Sequence, residues 1–218
     1  MERPANWNGF AAIYSDQRKS VTLSTTLRGS RDDYEGWSGS AQVGLGFRPS
    51  DRWNLSLTPS WSVNRTDAQY VGTVADEAAV ATYGARYLFA PLKQTTLAME
   101  TRLNVTFTPR LSFELFAQPF MSSGDYGVVR ELAEPGSYLF QATPVDAPDR
   151  DFNLRSLRGT AVLRWEWRAG STLYLAWQQN RRSFGPDGDF DFSRDRGALF
   201  DAPPDNIFLL KVSYWFTR

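Results

Sequence analysis

The chain has 218 residues with 24 basic and 24 acidic side chains, so its formal net charge is zero, and it contains no cysteine and no histidine. That excludes disulfides, thiolate metal sites and imidazole chemistry, and the even charge balance argues against a nucleic-acid partner. Aromatics make up 15% of the residues, eight of them Trp, yet the mean hydropathy is negative; a membrane β-barrel combines these features because only alternate residues meet lipid.

Period-two alternation is the dominant pattern along the chain. Weak versions occupy residues 10–16, 20–29 and 38–47. The clearest spans 52–65, where Trp53, Leu55, Leu57, Pro59, Trp61 and Val63 alternate with Asn54, Ser56, Thr58, Ser60, Ser62 and Asn64. A strand puts each set on one face, whereas a helix would scatter both around its axis. A short candidate follows at 69–74, then 78–89, a tight turn at Pro91-Leu92-Lys93, and strands at 95–108 and 110–121. After a long segment at 122–156 come 157–168 and 171–184. A second long segment at 184–205 precedes a last strand ending near Phe216. Pro59 and Pro119 fall inside strands and are expected to mark bulges or strand ends.

The turns at Pro49-Ser50-Asp51, Thr108-Pro109-Arg110 and Ala169-Gly170-Ser171 are short, whereas 122–156 and 184–205 are long and rich in Gly, Pro and Asp. Short turns on one rim and long loops on the other is the outer-membrane pattern. Phe47, Trp53, Phe107, Trp165, Trp167 and Phe216 fall beside the short-turn rim, and Tyr87, Phe89, Trp177 and Phe208 toward the other, as two aromatic belts would. Requiring neighbours to alternate in direction gives eleven strands, provided 69–74 forms a short one between two that run the same way. Bacterial single-chain barrels have even counts with both termini inside, so the odd number predicts that N-terminal strands are missing from this chain. Met1-Glu2-Arg3-Pro4 leads into no apolar leader, which also predicts a mature piece or fragment. No run of 18 apolar residues predicts a helical span.

The polar set carries Glu100, Arg102, Glu114, Arg164, Glu166, Arg168 and Lys211. These could line a pore; we expect cross-strand charge pairs, each contributing about 0.2–1 kcal/mol. Glu114 and Glu166 lie beside arginines that keep them ionised, so neither suits proton donation in glycoside chemistry, and we expect no enzyme and no cofactor. Asp187, Asp189 and Asp191 are spaced as calcium oxygens can be, but without the helices and terminal Glu of an EF-hand. In the loop at 122–156, Tyr126, Tyr138 and Phe140 could meet an external ligand or fold inward. Phe208, Leu210, Val212, Tyr214 and Phe216 alternate like a barrel-assembly signal, from which Thr217-Arg218 departs by continuing past the aromatic.

Several segments resemble a known family. Thr101-Arg102-Leu103-Asn104-Val105-Thr106-Phe107-Thr108-Pro109, Leu115-Phe116-Ala117-Gln118-Pro119-Phe120, Ser123-Gly124-Asp125-Tyr126, residues 163–174 and residues 205–216 are similar to an uncharacterised outer-membrane barrel domain of Gram-negative bacteria. In that family the barrel follows a module resembling family-9 carbohydrate-binding modules, which is absent here. The resemblance covers most of residues 50–218, carries no catalytic residues and implies an all-β transmembrane barrel.

Over residues 1–218 we therefore expect one antiparallel β-meander of about 10–12 strands, forming a transmembrane β-barrel or its C-terminal part. It would sit in the bacterial outer membrane, with lipid, the barrel-assembly machinery and saccharides as partners. Its role would be a pore or uptake component linked to carbohydrate binding. The alternatives are a non-conducting anchor for a periplasmic binding domain and a soluble β-sandwich binding module.

Overall fold

A computed structural model describes residues 3–216; Met1, Glu2, Thr217 and Arg218 lie outside the described residues. The alternating segments form β1 (Asn6–Tyr14), β2 (Val21–Asp32), β3 (Trp37–Ser50), β4 (Trp53–Ala75), β5 (Ala85–Thr108), β6 (Leu111–Tyr126), β9 (Phe152–Arg168), β10 (Ser171–Gly185) and β11 (Asp205–Ser213). Two three-residue strands, β7 (Arg130–Leu132) and β8 (Phe140–Ala142), lie between β6 and β9, and one helix, α1 (Phe192–Asp201), lies between β10 and β11. All belong to one antiparallel sheet except α1, and among the described residues no second sheet packs on it to make a sandwich. The main path runs β1-β2-β3-β4-β5-β6-β9-β10-β11, with β7 docked on β5. Among the described residues β1 and β11 do not pair with each other, so the sheet is open. No described helix is long and apolar enough to cross a membrane.

Eleven strands are present among the described residues, but they are not the eleven expected. Residues 53–75 form one strand, and so do residues 85–108; they pair with each other along most of their length. The turn between them is 76–84, not 91–93. Within it a 3-10 turn at Val80–Thr82 leads to Tyr83 and Gly84, both at positive φ, and Gly84 N donates to Ala79 O. Alternation falters between 65 and 72 because β4 bulges twice: Thr66 opposes Leu92 while Gln69 opposes Ala90, and Tyr70 opposes Phe89 while Gly72 opposes Leu88. Pro91 sits opposite the first bulge, where the interrupted ladder needs no N–H from it. With one long hairpin here, the nine strands of the main path alternate in direction without the short strand at 69–74.

Pro59 and Pro119 sit within strands and do not bulge. Pro59 lies opposite Met99 and Pro119 opposite Leu157, with the register unshifted. Each instead leaves a gap in the ladder on its other side, between the pairs Gln42/Ser60 and Leu45/Leu57 and between Ala98/Phe120 and Thr101/Ala117.

Directly opposed residues share a face, so the register traces two faces across the sheet. One row runs Phe47, Leu55, Leu103, Leu115, Ala161, Trp177, Phe208. The neighbouring row, on the opposite face, runs Gly46, Ser56, Arg102, Phe116, Thr160, Gln178, Ile207. Connections at 15–20, 51–52, 109–110 and 169–170 lie at one end of the sheet; 33–36, 76–84, 127–151 and 186–204 lie at the other. Burial concentrates at the long-loop end, where Val71, Leu88 and Ala90 pack against Tyr126, Val129 and Val145.

Candidate functional site

The polar face brings the predicted charged residues into two groups. In the first, Glu100 Oε1 accepts from Arg102 Nε at 2.7 Å, and the guanidinium lies over the Phe116 ring, 5.1 Å from its centre. In the second, Arg164, Tyr174 and Lys211 stand opposite one another on β9, β10 and β11. Arg164 Nε donates to Tyr174 Oη at 3.2 Å and lies 3.7 Å from Glu166, which accepts from Gly170 N. Both ion pairs join residues two apart on one strand, so the expected cross-strand charge ladder is not what forms. Among the described residues Glu114 and Lys211 make no ion pair; Glu114 faces Asn104 and Val162. Arg168 is not within the face: it stands at the irregularity beside turn 169–170 and donates to Tyr214 Oη. The same face also carries Arg28, Arg158 and Arg182 and the apolar Phe120, Ile207 and Leu209, set among Ser, Thr, Asn and Gln side chains.

The last strand pairs only through Ser213. Phe208, Leu210 and Val212 share the apolar face with Trp177, Leu175 and Leu173, but Tyr214 and Phe216 lie beyond the strand, their rings 4.6 Å apart. Of the expected belts, Phe47, Trp53, Phe107 and Trp165 are half-exposed near the short turns, whereas Phe89 is buried between Tyr70 and Phe140. Tyr138 stacks on Tyr34 at 4.0 Å, and Tyr126 packs on the Val71 cluster, so the loop aromatics are engaged internally rather than offered outward.

The segment expected as a loop tip is instead a helix. Asp191 caps α1, accepting from Arg194 N at 2.8 Å, while Asp195 Oδ2 accepts from Asp191 N. Asp189 accepts from Arg194 Nη1 at 2.9 Å, and Asp187 lies 3.7 Å from Arg155. Asp191 and Asp189 are thus engaged by the backbone N–H and the guanidinium of Arg194 and Asp187 by Arg155, and no group of acids among the described residues could hold a metal. The helix is legible after the fact: an Asp cap, Ala-Leu-Phe in the last turn, and Pro203-Pro204 barring its continuation.

What sequence reading missed is the seat of this helix. Asn153 and Arg155 share the apolar face with Met121 and Ser123 and are buried with Asp195, which is fully enclosed. Asp195 Oδ1 accepts from Asn153 Nδ2 at 2.9 Å and from Arg155 Nε and Arg194 Nε at 3.1 Å. Burial raises the Asp195 carboxyl, but the hydrogen bonds from Asn153 and Arg194 outweigh it and hold the group below its ordinary range. Arg181 Nη1 donates to the Phe200 and Ala202 carbonyls at the C-terminal end. A second buried pair ties β7 to β5: Arg86 Nη1 donates to Glu131 at 2.7 Å, with Gln141 as a further donor. An isolated Asn, Arg or Asp at these positions gives no signal in sequence, since alternation marks their face as apolar.

Residues 1–217 match the family described as Domain of unknown function (DUF5916). No curated protein matches the chain. A match of this extent places the chain in that family: it is a DUF5916 protein.

Proposed function

We propose that this DUF5916 chain forms part of the wall of a β-barrel in the bacterial outer membrane, with the apolar face toward lipid and the polar face toward an aqueous lumen. The observation that carries the reading is the apolar face running from Phe47 to Phe208, which near the short turns is left largely exposed among the described residues. Exposed apolar patches on soluble monomers seldom exceed a few hundred Å²; this one crosses seven strands. The opposite face carries the Glu, Arg, Asn and Ser side chains that a wet lumen tolerates. It is also the crowded one: Thr22 and Ser24 hydroxyls lie over Gly46 and Gly44, where a Cβ would approach them to 2.3 and 2.4 Å, while Gly39 and Gly159 on the apolar face are open. Crowding on one side is the packing of a sheet curved toward that side.

The strand count sharpens the reading. With nine strands on the main path, β1 and β11 run in the same direction. Direct closure would make them a parallel pair, unlike every other pair in the sheet. Closure through antiparallel neighbours takes an odd number of further strands between β1 and β11. A second copy related by rotation about the membrane normal keeps strand direction and cannot supply that. Lipid leaves no unpaired edge affordable, so the edges of β1 and β11 are where those strands add.

Within this wall the two charged groups face the lumen, and the chain serves a pore for small polar solutes, saccharides among them. Planar-bilayer recording of the full-length protein tests this. Discrete conductance whose cation preference rises in Arg102→Glu supports the pore; a folded, inserted protein that passes no current makes the barrel an anchor.

A further inference from the structure

We infer that the cleft between α1 and the apolar face is a binding site for one acyl chain of an anionic membrane phospholipid; the inference rests on the membrane reading above. Pro59, Leu97, Met99, Pro119 and Met121 form its floor, and Phe192, Leu199 and Phe200 of α1 form its roof, enclosing about 280 Å³. Two prolines and a methionine make the middle of the floor shallow: Pro59, Met99 and Pro119 lie side by side on adjacent strands of the apolar face, with no branched or aromatic side chain among them.

The roof is fixed independently of any occupant. Asp195 is held by Asn153, Arg155 and Arg194, and Arg181 holds the far end. The cleft is therefore preformed, and it must be filled or left void. Water finds too few partners there, because the only polar side chain in the lining is Arg196. A dry void forfeits dispersion contacts with every wall. A hydrocarbon chain satisfies both conditions.

Arg196 sets the charge of the occupant. It stands at the cleft beside Phe192, its guanidinium 5.8 Å from the ring centre, and it makes no ion pair among the described residues. An exposed, unpaired guanidinium next to a carbon-lined cleft suits a phosphate at the head of an acyl chain. Phe192 and Phe200 also present exposed ring surface around the same helix, as an interfacial helix does.

The test reconstitutes the full-length protein in vesicles containing phosphatidylglycerol, or phosphatidylcholine, with a diazirine on the acyl chain, and maps adducts after photolysis. Phosphatidylglycerol adducts concentrated on Met99, Met121 and Leu199, and reduced about tenfold by Arg196→Gln, the factor for one charge-assisted hydrogen bond, support the site; Arg196→Lys should restore part of the labelling. Met99→Trp, which fills the floor, should abolish cleft labelling while leaving adducts elsewhere on the apolar face. Adducts spread evenly over that face, or equal for both lipids, overturn the site and leave the membrane reading standing. No adducts anywhere on the face overturn both.

Discussion

The two ends of the sheet are stabilised by different surroundings. At the long-loop end the chain covers itself: α1 seats on Met121 and Leu97 through the Asp195 network, and β7 and β8 fold onto β5 through Arg86 and Glu131. Toward the short turns little of the described chain covers the sheet: Trp215 lies against Gly170 and Ser171 and Val105 is buried, but Trp53, Phe107 and Trp165 stand half-exposed. Both regions are hydrogen-bonded ladders with irregularities, at 66–72 toward the long loops and at Phe47/Ser50 and Thr106/Thr108 toward the short turns, so the backbone alone does not distinguish them. What differs is what the side chains bury against: protein in one region and, on the proposed reading, lipid in the other. Substitutions should therefore respond to different variables at the two ends.

The largest effect is expected at the covered end. Asp195→Ala leaves Arg155 and Asn153 buried without their acceptor, a loss of about 3–5 kcal/mol for a broken buried pair. Hydrogen exchange across residues 186–204 should rise to the level of an open loop while β9 and β10 nearer the short turns keep their protection. Unchanged exchange would mean that α1 is held by its apolar contacts alone.

Next comes the uncovered face. Leu115→Arg should cost about 2–4 kcal/mol for the full-length protein folded in lipid, the penalty for an arginine facing the bilayer midplane. Thr160→Arg, one row away on the polar face, should cost less than about 1 kcal/mol. Denaturant unfolding from vesicles reads both, and equal costs would erase the distinction between the faces.

Acid should separate the two ends without mutation. Asp195 and Glu131 are each raised by burial but lowered further by their hydrogen-bond donors, Asn153 and Arg194 for the first, Arg86 and Gln141 for the second. A carboxyl lowered in the folded state contributes stability that is full above its unfolded pKa, near pH 4, and lost as pH falls through the folded value. Exchange at 130–142 and 186–204 should therefore rise below about pH 4, ahead of the sheet's short-turn half. The smallest effect belongs to Glu100→Gln: the pair with Arg102 is largely exposed, so the change should stay below about 1 kcal/mol in thermal unfolding.

The same division explains what could be read in sequence. Strands 53–65, 95–108 and 171–184 were legible because a face in uniform surroundings imposes strict period two. At the long-loop end that uniformity fails. The bulges at 66–72 shift the alternation of β4, so one strand looks like two, and Pro91 looks like a turn although it lies opposite a bulge. Residues 186–204 carry the charges of a solvated loop, yet Asp195 is the most buried of them, because its partners Asn153 and Arg155 sit some 40 positions earlier. Of the charged residues expected on one face, Glu100, Arg102, Arg164 and Glu166 form same-strand pairs; which partner each takes depends on rotamers that spacing does not encode.

The absence of cysteine makes the central claim directly measurable. Single cysteines placed at successive positions from Ser112 to Gln118 of β6, in the full-length protein reconstituted in vesicles, can be challenged with a membrane-impermeant thiol reagent. If the apolar row faces lipid, positions 112, 114, 116 and 118 react and 113, 115 and 117 are protected, the protected set being labelled instead by a lipid-soluble reagent. Equal reaction at both parities, from a protein that stays folded in buffer without lipid or detergent, would contradict it.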